Sequence, residues 1–192
     1  LLELQQILDT TTCTYGVSLL HLSSTGTNLN IPVLLISNGV PINSVDENGT
    51  TPLHWACLHG NVKMVELLLS YKANIKALDD DDNSVLHYAA ERGHTDVIKV
   101  LLNTGKIDIE HKNCRGMTAL AAACEEEEVE TVKFLIQHGA LTWDILRVGK
   151  VAHQPHMLRL VEKCRKQASQ VLGEVQKNSK QAFYNIKSAT AS

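Results

Sequence analysis

The stretch "GTTPLHWACLHG", residues 49–60, sets a hydroxyl, a proline, a Leu-His pair and a glycine in fixed order. The Leu-His pair returns at Leu20-His21 and Leu86-His87, 33 residues to either side of Leu53-His54. Three residues before each histidine stands Ser18, Thr51 or Ser84, and a fourth copy, one residue late, places Thr118 three before Ala121. Each is a good helix N-cap, because a side-chain oxygen there accepts an N–H that the first turn leaves unpaired. Pro52 follows at the first helical position, where its missing N–H costs nothing. A helix therefore starts at the same phase in every copy.

Gly60 and Gly93 close that helix, since glycine takes the left-handed conformation without steric cost. A second helix then repeats its apolar columns across copies: Leu29/Val62/Val129, Val65/Ile98/Val132, Leu35/Leu68/Leu101/Leu135 and Ile36/Leu69/Leu102/Ile136. Within a copy these fall on one helical face. Two helices of roughly 8 to 10 residues cannot bury such a face alone, so neighbouring copies must stack. The expectation is a solenoid.

The run G-T-T-P-L-H-W-A-C-x-x-G-N followed by V-x-x-V-E-L-L-L resembles the ankyrin repeat. The resemblance implies an all-α solenoid of stacked helix-turn-helix units joined by β-hairpin loops, with repeats at 13–45, 46–78, 79–111 and 112–144. Residues 1–12 read as an N-terminal capping helix, in which 1–9 look like either the second helix of an earlier repeat or a cap. There are departures from the family pattern. Copy one has Leu19 in the proline position and Pro32 early in its second helix, where proline is tolerated only near the start. Copy three has Asp82 for the hairpin glycine and Val85 for proline. Copy four replaces the histidine by Ala121 and its turn residues by Glu127 and Glu128, and should be the loosest.

The period ends after Trp143. From Pro155, the positions Leu158, Val161, Cys164, Ala168, Val171 and Val175 step as one helix seam, weakened at Gly173 by roughly 1 kcal/mol relative to alanine. Residues 145–192 thus read as a capping segment and an extended, basic amphipathic helix whose first half covers the edge of the last repeat.

Composition bounds the function. The chain has 192 residues, 44% of them hydrophobic, yet its longest aliphatic runs fall far below the roughly 18 residues of a membrane span. It opens Leu-Leu-Glu-Leu-Gln without Met or a basic flank, which suggests a fragment of a longer protein. Five scattered cysteines without a C-x-x-C pair suggest reduced thiols and a cytoplasmic setting. Charge is divided: residues 1–143 hold 9 Lys/Arg against 18 Asp/Glu, and 144–192 hold 9 against 3. Opposed halves point to different partners or to mutual attraction.

The aligned histidines do not read as a metal site. Zinc needs ligands near 2.0–2.1 Å, whereas stacked helices lie roughly 8–10 Å apart. Each imidazole is expected to tie its repeat to the next through backbone hydrogen bonds. Cys57 with His59, or Cys124 near His138, lacks a third group to orient a base, and no catalytic or phosphate-binding motif occurs. No catalytic residue, metal, cofactor or small-molecule substrate is expected.

The acidic clusters carry more. Asp80 and Asp81 lie where the resemblance puts a hairpin tip, and Glu91, Glu125 and Glu126 end first helices, on the side that ankyrin proteins turn to partners. Four consecutive aspartates are equally often a solvated loop. Trp55, Leu58 and His59 in copy two, with Tyr88 and Arg92 in copy three, occupy first-helix positions that the family varies for recognition. Trp, Tyr and Arg dominate hot spots, although the two rings could equally pack between repeats. By the same resemblance, Asn43 matches a hairpin asparagine that asparaginyl hydroxylases modify. The basic tail, with Arg159, Lys163, Arg165, Lys166, Lys177, Lys180 and Lys187, could meet anionic lipid, a partner helix or the acidic repeats. Nucleic acid suits the acidic repeat body poorly. The reading is a non-catalytic scaffold or adaptor module holding a basic protein or peptide on an acidic concave face. The alternatives are the targeting segment of a larger enzyme and a membrane-associated scaffold.

Overall fold

The computed structural model describes residues 15–140, 154–167 and 169–170. Four helix pairs follow in order: α1 (Leu19–Ser24) with α2 (Asn30–Ser37), α3 (Pro52–Leu58) with α4 (Val62–Ser70), α5 (Val85–Glu91) with α6 (Thr95–Asn103), and α7 (Ala119–Glu125) with α8 (Val129–Gln137). A further helix, α9, covers 155–167. The N-caps are Ser18, Thr51, Ser84 and Thr118, each with extended backbone. Pro52 opens α3, and Pro32 is the third residue of α2, before any intrahelical N–H is needed.

First helices stack on first helices and second on second, and the first layer packs more closely. Side-chain size explains this. Ala56, Ala89, Ala90, Ala119 and Ala123 are buried in the first layer, whereas Val65, Leu68, Ile98, Leu101, Val132 and Leu135 fill the second. Small residues on one side and branched ones on the other bend the stack, leaving the first helices and the loops before them on the inside of the curve.

One continuous core runs from repeat two to α9, and Leu29, Ile36 and Ile42 of repeat one pack on it. Three of the expected columns are buried or nearly so. The column Leu29/Val62/Val129 lies at the rim, with Val129 37% exposed. Its place inside is taken by Met64, Val97 and Thr131, two residues further along each second helix. Their counterpart Ile31 and the neighbouring Leu34 are exposed on repeat one. Repeat four, expected to be loosest, buries six consecutive residues from Ala119 to Cys124.

The loops are not β-hairpins in the full sense. Among the described residues there is a single isolated bridge, Leu78 to Ser84. Side chains supply what strand pairing would. Asp46 accepts the N–H groups of Asn48 and Thr50, Asp79 those of Asp81 and Asn83, and Asn113 those of Arg115 and Met117. One backbone bond then joins each loop to the next: Glu47 N to Tyr15 O at 3.0 Å, Asp80 N to Asn48 O at 3.0 Å, and Cys114 N to Asp81 O at 2.9 Å.

After the last repeat, α9 turns Met157, Val161 and Cys164 into the shared core. Gln154 donates to the carbonyl of Glu125 and to Glu127, and His156 lies 3.5 Å from the Glu127 carboxylate. The helix thereby closes the apolar end of the stack, with Leu158 and Leu160 partly buried beside it. The cap expected at 1–12, the segment 141–153 and the helix expected through 171–192 lie outside the described residues.

Second helices end on a left-handed residue: Gly39, Gly105 and Gly139, but Lys72 at φ 65° in repeat two. A side chain there costs on the order of 1 kcal/mol, partly offset by the freedom glycine gains when unfolded. Lys72→Gly should raise stability by about 0.5 kcal/mol, read as a higher urea midpoint with unchanged slope. A lower midpoint would mean that the Lys72 side chain holds the turn.

Candidate partner-binding face

The inside of the curve is built on a relay of histidines. The N-cap N–H groups of Ser18, Thr51 and Ser84 donate to Nδ1 of His21, His54 and His87 at 3.1, 3.1 and 3.3 Å. An Nδ1 that accepts carries no proton, so the neutral ring is protonated at Nε2. That Nε2–H is aimed at the following repeat: His21 donates to Thr50 O at 3.0 Å and His87 to Met117 O at 2.9 Å. His54 Nε2 is buried without a hydrogen-bond partner. The backbones of Asn83 and Ala77 lie near enough to favour its charged form, yet neither reaches bonding geometry.

Burial lowers the pKa of all three histidines, against the raising effect of nearby carbonyls and carboxylates. For His54 the value falls to about 4. The rings are neutral structural ties, each capping its own helix through Nδ1.

Above the relay, Trp55 and Tyr88 are half-buried. Trp55 Nε1 donates to Asp46 and Thr50, and the Tyr88 hydroxyl donates to Asp79 at 2.7 Å. Each ring stands edge-on to the histidine of the preceding repeat, His21 or His54, at 5.6 or 5.3 Å between centroids. Their polar tips are spent inside the stack, so they serve the loops rather than standing free as anchors. Burial, then the bond and charge of Asp79, push the Tyr88 hydroxyl well above its ordinary pKa. Burial opposes ionisation of Asp46, but the bonds from Thr50, Trp55 and Asn48 outweigh it and hold that carboxyl below its ordinary value.

The other candidates divide. Asp80, Asp81, Arg92, Glu126 and His59 are exposed, and Glu91 is half-exposed. His59 caps α3, its Nδ1 at 2.9 Å from Trp55 O and its ring stacked on Trp55. Leu58 is only half-buried, but its carbonyl is engaged by His94 Nε2 at 3.0 Å. Glu125 differs from its neighbour Glu126: its side chain is 6% exposed and 3.2 Å from the Arg115 guanidinium, so it is a structural carboxylate. Asn43 is exposed, with its amide oxygen accepting Asn74 N at 2.8 Å. Asp81, Glu91, Glu125 and Glu126 line one cavity between repeats three and four.

A second set of ties is not apparent from the apolar pattern. The N-caps of α4 and α6, Asn61 and His94, reach back to the first helix of the repeat before. Asn61 donates to Ser24 O and Gly26 O, and His94 to Leu58 O. Glu128, capping α8, lies against Gly93. A Cβ at Gly60 would come within 2.6 Å of the His94 ring. The glycine is thus required for close approach as well as for its φ of 66°. The signal in sequence is the spacing of Asn61, His94 and Glu128.

Burial raises the Cys57 thiol far above its ordinary pKa and pushes Cys124 up to about 12. A thiol held protonated is not a nucleophile. Among the described residues, no three His, Cys, Asp or Glu side chains converge on one point, and no helix is long and apolar enough to cross a membrane. Lys177, Lys180 and Lys187 lie outside the described residues.

A family model described as Ankyrin repeats (3 copies) matches residues 1–79 and 71–145. No curated protein matches the chain.

The histidine relay makes stability depend on pH. The unfolded chain protonates these rings near 6.5, whereas the folded chain holds them neutral. Stability is full above pH 6.5 and falls as pH drops toward 4, where His54 becomes charged in the folded state. For His54 alone the loss is about 3 kcal/mol. Urea unfolding at intervals from pH 7 to 4.5 should show it, and His54→Gln should flatten it. An identical slope in the variant would remove His54 as its source.

Proposed function

Because the chain belongs to the ankyrin-repeat family, whose repeats are generally protein–protein interaction modules, we propose that it holds a basic segment of a partner protein against the inside of its curve. It does so as a non-catalytic scaffold or adaptor. The observation that carries this reading is the set of carboxylates on that face. Asp80 and Asp81 at one loop tip, Glu91 at the end of α5 and Glu126 at the cap of α7 come from two successive repeats and are exposed or half-exposed. The cations among them are Arg92, 3.9 Å from Glu91, and Arg115, paired with Glu125. Charge-assisted hydrogen bonds to several such carboxylates give affinity and orientation, and long-range attraction speeds encounter. The proposal places the chain inside the cell, which suits the free thiols of Cys57, Cys114, Cys124 and Cys164.

Attachment to a membrane is the weaker alternative. An interfacial helix binds by burying its apolar face in lipid, with cations adding to that. In α9 that face is already used: Met157, Val161 and Cys164 are buried in the core, and Arg159, Lys163, Arg165 and Lys166 remain outside. Only electrostatic attraction is left to it.

A random-peptide display selection on the intact chain tests the proposal. Enriched peptides should be rich in Lys and Arg and should bind more weakly as salt rises from roughly 0.05 to 0.5 M. The variant Asp80→Lys, Asp81→Lys, Glu91→Lys, Glu126→Lys should lose about tenfold in affinity or more while keeping its unfolding midpoint. Enrichment of neutral or acidic peptides, or equal binding by the folded variant, would overturn it.

A further inference from the structure

The chain repeats one position with a variation that changes the surface. The fourth residue after each first-helix N-cap is Leu22, Trp55, Tyr88 and Ala122. In repeats two and three a planar ring fills the space beside the preceding histidine and donates a hydrogen bond to the loop carboxylate. In repeat four the preceding histidine, His87, is present and buried; its edge-on ring partner is His111 of the loop, at 5.9 Å, and Ala122 supplies no ring at the position of Trp55 and Tyr88. A cavity of about 210 Å³ opens there, with His87, Ala122, Asn113 and Met117 among its lining.

Its walls define what suits it. Asp81, Glu91, Glu125 and Glu126 line it, against the single guanidinium of Arg115. Arg115 shows the bonding the wall prefers, with its Nη2 between the two Glu125 oxygens at 3.5 and 3.2 Å. The volume is below the roughly 300 Å³ at which drug-sized ligand sites begin, so it suits one side chain. An aromatic ring would match the shape but add no positive charge to a wall that is mostly acidic. Lysine would match the charge but presents a compact, strongly hydrated point in place of a plane. A guanidinium is planar, positively charged and edged with donors, and it stacks on rings.

We propose that the cavity between repeats three and four is a socket for one arginine side chain of the partner, entering where Trp55 and Tyr88 sit in the repeats before. This rests on the reading of a basic partner and narrows it to one residue type and one place. The guanidinium plane lies toward His87, and its N–H groups donate to Asp81 and Glu126 across the mouth.

Titrating the intact, isotope-labelled chain with N-acetyl-arginine amide, followed by amide NMR shifts, tests this. Saturable shifts should appear at His87, Asn113 and Ala122; N-acetyl-lysine amide should bind at least fivefold more weakly, and N-acetyl-citrulline amide should produce none. Ala122→Tyr, which restores the ring of the other repeats, should abolish the arginine shifts without lowering the unfolding midpoint. If that variant fails to fold, Asp81→Asn with Glu126→Gln should weaken arginine binding at least fivefold. Shifts centred elsewhere, equal response to citrulline, or full binding by a folded Ala122→Tyr would overturn the socket. The broader reading is judged separately: if selected basic peptides ignore Ala122→Tyr yet lose affinity in the fourfold lysine variant, the face stands and the socket falls. If no basic peptide binds the unaltered chain, both fall.

Discussion

The stack depends on which nitrogen of an imidazole carries the proton. A helix of six or seven residues leaves most of its backbone groups unpaired at one end or the other, and it cannot bury a face unaided. By accepting the N-cap N–H at Nδ1, His21 and His87 satisfy one of those groups and fix their tautomer. The proton left at Nε2 then satisfies a carbonyl of the next repeat. Local capping and long-range stacking are thereby carried by one ring, and charging it costs the local half, because a protonated Nδ1 can no longer accept the N-cap N–H. His54 makes only the local half and leaves a buried Nε2 unpaired. Such an orphan costs about 1–3 kcal/mol, so the junction of repeats two and three is the relay's weak link.

The relay also explains how the stack ends. Ala121 replaces the histidine in repeat four, so this repeat carries no imidazole at the relay position. The carbonyl of Glu125 is met from the other direction by Gln154, at the head of α9. That helix brings Met157 and Val161 to the apolar edge, and each such burial contributes about 1.5–3 kcal/mol. Loss of the turn glycine to Glu127, at φ 60°, is a local strain within a well-buried repeat.

The caps, the period and the columns through Val65 and Leu68 were legible in the sequence because each follows from spacing alone. The site was legible only in part. Whether Trp55 faces a partner or a carboxylate depends on how the loop from Asp46 to Thr50 turns, and no helical periodicity encodes that. A signal did exist: Asp46 precedes Trp55, and Asp79 precedes Tyr88, by the same nine residues. Asp79 is therefore not one of four equivalent loop charges but a keystone, with Asp80 and Asp81 the exposed pair beside it. Glu125 and Glu126 are equally indistinguishable in sequence; the reach of Arg115, ten residues earlier, separates them.

The proposed binding positions and the positions that set stability accordingly differ within the same repeat. A residue that keeps the 33-residue register, such as Leu53 or Leu86, is packed on both sides by neighbouring repeats, and changing it disturbs two interfaces. A residue that departs from the register is released from that constraint. Ala122, Arg115 and Glu126 are such departures, and they gather at the junction of repeats three and four, where the curve is lined with carboxylates. The cavity there has a physical cause in the chain's own pattern. One missing ring leaves open the space beside His87, which stays buried with His111 edge-on to it at 5.9 Å, while the surrounding loop, held by Asn113 in place of an aspartate, no longer needs a donor from that ring.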